Sequence, residues 1–143
     1  MGKINWGRVI LGGLLCGLVV NIGEGIGGTI MMEEWTAAFA KLGIDTKAWE
    51  QNPAIMAFFL GGGFLYGLVC VWFYAAIRPR FNPGPKTAAI AAVAVWFVGY
   101  FWPTVAYAGV GLWPMNLALI AGAQGLVETI IGTQLGAWLY KEA

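Results

Sequence analysis

The sequence contains no histidine, a single aspartate and two cysteines, and only 10% of its 143 residues are charged. Without histidine there is no imidazole to bind haem iron, to ligate zinc or to act as the base of a nucleophilic triad. Cys16 and Cys70 stand far apart in sequence and form no CxxC pair. They sit at matching distances from the inner ends of their segments, so a shared depth is expected. Small apolar packing is the role assigned to them, since a disulfide would face a reducing compartment. Positive and negative side chains nearly cancel to a formal +1, with no run of Lys or Arg, so no nucleic-acid partner is expected.

What remains is overwhelmingly apolar: 59% hydrophobic residues and a mean hydropathy of +0.73. Such a chain belongs in a bilayer. Four apolar segments can be marked off, at 9–32, 53–77, 87–108 and 114–140. Each exceeds the roughly 20 residues that a helix needs to cross a hydrocarbon core. A β-barrel would need segments of about 10 residues in strict alternation, whereas these are continuous and rich in Ala, Leu and Gly. The expected fold is therefore all-α, one domain over 1–143, with four transmembrane helices in a bundle and no room for a soluble catalytic domain.

Charge placement orients the bundle. Lys3, Arg8, Arg78, Arg80, Lys86 and Lys141 fall on one side of a four-span topology, while the first loop carries Glu33, Glu34, Asp45 and Glu50 against Lys41 and Lys47. The positive-inside rule makes the basic side cytoplasmic, with both termini there, as in a bacterial-type plasma membrane. The head MGKINWGR imitates a secretory signal, but the apolar run behind it is too long and carries Glu24, so no cleavage is expected. In the first loop, Trp35, Phe39, Leu42 and Ile44 oppose charged neighbours, which predicts a short helix lying on the outer interface. Arg78, Arg80 and Lys86 crowd a turn stiffened by Pro79, Pro83 and Pro85, where they would meet anionic lipid head groups.

Glycine spacing suggests how the helices meet. Gly13–Gly17, Gly23–Gly27 and Gly63–Gly67 are GxxxG pairs, which let two backbones approach closely in lipid. The run GEGIGG also matches GxGxxG, but inside a spanning segment it lacks the strand and helix that a phosphate-binding turn requires. In the third segment Pro103 interrupts a helix rich in aromatics, so a kink is expected there. Tyr100, Thr104 and Tyr107 share one face, their hydroxyls needing either the acids or backbone carbonyls as partners.

The candidate site lies within the spans. Glu24 in the first and Glu128 in the fourth have no Lys, Arg or His in any segment interior to pair with. A charged residue at the centre of a membrane helix costs about 2.5–3.5 kcal/mol on insertion scales. The two must be protonated, face water or hold a cation. Segment midpoints put Glu24 roughly 7 Å outward of Glu128, at 1.5 Å per residue. Asn21, Gln124, Thr129, Tyr100 and Thr104 could complete a polar network. Ionisable residues inside a membrane mark proton relays and cation pathways, so a small channel or transporter component is expected. The rival reading is an accessory or scaffold subunit of a larger membrane complex.

Met31, Met32, Met56 and Met115 cluster toward the outer face, where thioethers could take Cu(I), but methionine is also ordinary filler. No nucleophile points to an enzyme, and no cofactor is expected. The partners expected are the lipid bilayer, further copies of the chain or other membrane subunits.

Overall fold

The computed structural model describes residues 3–142, in which all regular structure is helical. Helix α1 spans Trp6–Ile30, α2 Met32–Lys41, α3 Thr46–Glu50, α4 Pro53–Phe81, α5 Pro85–Trp96, α6 Trp102–Gly109 and α7 Met115–Leu139, with a π-helical turn at Phe97–Phe101 joining α5 to α6. Four helical stretches are long and apolar enough to cross a membrane: α1, α4, the continuous run Pro85–Gly109, and α7.

Helix starts follow their caps. The Asn5 side chain accepts from the Arg8 amide at 3.2 Å, and that of Asn52 from the Ala54 amide at 3.0 Å, ahead of Pro53 in the first turn. The basic turn begins later than its prolines suggested. Pro79 lies inside α4, which runs on to Phe81 before Asn82 takes φ 66° and Gly84 φ 138°. One proline two residues from a helix end removes few intrahelical bonds, so the helix tolerates it.

The sorting of residues is the reverse of a soluble protein's. On α1 the outward stripe is Ile10, Leu14, Leu18, Ile22, Ile26 and Ile30, four residues apart, while the buried side holds Val9, Gly12, Gly13, Cys16, Gly17 and Val20. Helix α7 buries four glycines, three alanines, Thr129 and Thr133, and turns Val127, Ile131, Leu135 and Trp138 outward. This is the pattern of helices that could cross a membrane, where large apolar groups would gain nothing by leaving lipid and small residues bring backbones together.

Helix α1 is wedged between α4 and α7. A Cβ added at Gly67 of α4 would lie 2.5 Å from the Gly13 carbonyl oxygen and 2.6 Å from the Gly17 Cα, and one at Gly12 would lie 2.5 Å from the Gly136 carbonyl oxygen. Backbone touches backbone in both seams. Helix α5 packs on α4 and α7, and α6 on α7.

The proline of the third span is absorbed as a π turn. The Trp102 amide reaches back to the Phe97 carbonyl, a widening that accommodates the N–H missing at Pro103. It also sets two successive aromatic rings on α7, where a Cβ at Gly122 or Gly125 would run into Phe101 or Tyr100. The Trp96 indole donates to the Gly122 carbonyl at 2.9 Å. At the other end of the seam, α2 packs Ala38, with Met31, against Leu117 and Ala121. Trp35, Phe39, Trp49, Phe59, Trp113 and Tyr107 join in a chain of ring contacts 5.2–6.4 Å apart.

Candidate functional site

The antiparallel register of α1 on α7 fixes where the acids meet. Pairing starts with the Asn5 amide donating to the Tyr140 hydroxyl at 3.3 Å, passes through Gly12 beside Gly136 and Cys16 beside Gly132, and reaches Gly23 and Gly27 opposite Glu128 and Gln124. The glycine pair of this last step does not bring backbones together as its GxxxG spacing suggested. A Cβ at Gly23 would overlap the Glu128 carboxyl and one at Gly27 the Gln124 amide. The glycines are sockets for two polar side chains that are too large for a helix seam otherwise. Gln124 is fixed in its socket by donating to the Gly23 carbonyl at 2.9 Å.

Glu128 is 6% exposed, lies close enough to Glu24 for the two carboxyls to act on each other, and leaves its Oε2 without a hydrogen-bond partner. With Gly23 opposite Glu128, Glu24 comes level with it, so the 7 Å offset expected from segment midpoints is absent; α7 begins beyond the outer end of α1, where Leu117 and Ala121 meet Met31 and α2. Among the described residues no Lys, Arg or His acts on Glu128, and the phenols of Tyr66 and Tyr100 are the other ionisable groups near the pair.

Glu24 itself is exposed on the wall of a cavity of about 550 Å³ between α1, α4 and the π turn. Asn21 lines it too, its amide over Gly63 and donating to the Leu60 carbonyl at 3.2 Å. Tyr66, Met56, Phe58 and Phe59 of α4 and Tyr100 of the π turn supply the rest of the large side chains in the wall. A second hollow, of about 300 Å³, opens on the far side of α1 beside Glu128 and Gln124. The acid pair thus sits in the partition between two hollows.

Compared with protein-family models, curated proteins and solved structures, the chain matches none. Its chemistry has to be read from this arrangement alone.

Of the residues singled out in the sequence, Glu24, Glu128, Asn21, Gln124 and Tyr100 lie at or beside the acid pair. Thr129 is 1% exposed and pairs with the Tyr66 hydroxyl at 3.2 Å. Thr104 turns instead to the π turn before its own helix, donating to the Tyr100 carbonyl at 2.7 Å, and Tyr107 meets Trp113 edge to face. Arg80 and Lys86 are exposed, whereas Arg78 folds inward over the Tyr140 ring, 5.5 Å from its centroid, and pairs with Glu142 at 3.4 Å. Met31 is buried, and Met32, Met56 and Met115 face outward. Among the described residues no three His, Cys, Asp or Glu side chains gather as metal ligands.

Tyr66 was missed. In the sequence it is one aromatic in an apolar run, with nothing to set it apart from its neighbours. Cys16 and Cys70 are neighbours in the core, both 0% exposed, with the Cys16 sulfur 3.9 Å from the Thr133 hydroxyl.

Proposed function

We propose that the chain is a component of a small membrane channel or transporter, in which Glu24 and Glu128 together take up and release a proton or monovalent cation. What supports this is the nearness of two carboxyl groups within the long apolar helices, Glu128 packing against Gly23 next to Glu24, with no basic residue acting on Glu128. Two like charges held together in a medium that cannot solvate them do not both ionise. The pair has to hold at least one proton or an equivalent cation, and a group that must hold a cation can exchange it with either neighbouring hollow.

In this reading the four long helices form a bundle across the bilayer, α2 rests at the outer interface, and both termini lie on the cytoplasmic side. Arg80 and Lys86 meet lipid head groups there. Purified protein in liposomes is expected to pass protons or monovalent cations down a gradient faster than empty vesicles, with Glu24→Gln and Glu128→Gln each reducing the rate. Equal leak from parent, variants and empty vesicles would refute it.

One observation favours a second reading, as an assembly subunit. Gly25, Gly28, Gly61 and Gly62 have nothing within 4 Å of the position a Cβ would take, so packing within the chain does not require them, and a neighbouring helix of another copy or subunit could use them. Cross-linking in native membranes separates the two: a stable complex with subunits of other sequence and no flux from the isolated chain supports the second reading.

A further inference from the structure

We propose that the 550 Å³ cavity is a binding site for a hydrophobic organic cation, a single positive charge carried on an apolar or aromatic frame, with Glu24 as its counterion. This rests on the Glu24–Glu128 reading above and names its substrate class.

The cavity is of the size that holds drug-like ligands, about 300–1,000 Å³. Its wall is largely apolar, and the polar side chains on it are Asn21, Glu24, Tyr66 and Tyr100. Asn21 is spent on the Leu60 carbonyl and Tyr66 on Thr129, which leaves Glu24 as the acidic group on the wall to meet a ligand, with the Tyr100 hydroxyl as the second polar group. Behind it the buried Oε2 of Glu128 is unpartnered, so the wall has spare hydrogen-bond and charge capacity and no cation of its own. The other faces supply aromatic rings, from Phe58, Phe59, Tyr66 and Tyr100, and such rings attract a desolvated cation. A hydrated metal ion would waste this apolar surface, and a neutral apolar molecule would leave the carboxylate unmet. Gly25 and Gly62 line the cavity with nothing within 4 Å of a Cβ, so side chains that would have filled it are missing from both walls.

The probe is tetraphenylphosphonium, titrated calorimetrically into the protein in lipid nanodiscs, with empty nanodiscs subtracted. The parent is expected to bind it saturably and not to bind the neutral triphenylphosphine oxide. Glu24→Gln is expected to lose at least tenfold in affinity. Gly62→Phe, which fills the cavity without touching either acid, is expected to abolish binding while leaving the melting profile in place. No saturable signal from the parent, or equal affinity in parent and Gly62→Phe, would overturn the proposal. Proton flux without tetraphenylphosphonium binding removes this inference and spares the proton pathway; binding without flux does the reverse.

Discussion

A methyl group added at Gly67 tests whether backbone contact holds the spans together. The new Cβ would meet the Gly13 carbonyl oxygen at 2.5 Å and the Gly17 Cα at 2.6 Å, where ordinary contact begins near 3.5 Å. Both neighbours are backbone and cannot rotate away, so α4 must retreat from α1 by most of an ångström. A gap of 0.5–1 Å forfeits about a quarter to a half of each contact's dispersion energy, and overpacking of this kind costs about 1–3 kcal/mol. Gly67→Ala is therefore expected to destabilise the chain by that amount. Gly62→Ala on the same helix has open space at its Cβ and is expected to gain up to about 1 kcal/mol from helix propensity. Equilibrium unfolding in mixed micelles, titrated with a denaturing detergent, measures both. Gly67→Ala as stable as the parent, or the two variants shifting equally, would refute close α1–α4 contact.

Three further outcomes follow from named contacts. Gly23→Ala is expected to displace the Glu128 carboxyl from its socket and to lower flux as far as Glu128→Gln does, while Gly28→Ala, with nothing within 4 Å of the new Cβ, leaves flux unchanged; liposome assays compare them. Removing the Tyr66–Thr129 hydroxyl pair, 3.2 Å apart, by Tyr66→Phe or Thr129→Val is expected to cost about 0.6 kcal/mol, the typical worth of such a bond between membrane helices, with the double variant costing no more than the larger single one. Arg78→Ala is expected to cost more than Glu142→Ala in an unfolding titration, because Arg78 also covers the Tyr140 ring, whereas its partly exposed ion pair with Glu142 is worth at most about 1 kcal/mol.

The spans were legible because the bilayer imposes a length, and the caps Asn5 and Asn52 mark two of their starts. Partnership between helices was harder to read. GxxxG spacing announces a small surface but not its occupant, so Gly13–Gly17, which meets the α4 backbone, looks the same in sequence as Gly23–Gly27, which receives Glu128 and Gln124. Depth failed for a related reason. Midpoints of apolar runs ignore stagger, and the stagger here is set by α2 folding over the outer end of α7. Pro103 predicted an interruption, but whether it would appear as a bend or as a widened turn depends on Tyr100 and Phe101 seating on Gly122 and Gly125. Tyr66 gave no signal of its own, since its role comes from Thr129 of a helix more than sixty residues away.

A direct interaction between Glu24 and Glu128 is the centre of the proposed pathway. A double-mutant cycle of Glu24→Gln, Glu128→Gln and the paired variant, read as unfolding free energy in lipid-containing micelles, measures that interaction. Contact predicts departure from additivity of about 0.5–3 kcal/mol, and effects that add to within about 0.3–0.5 kcal/mol, as for separated residues, would contradict it.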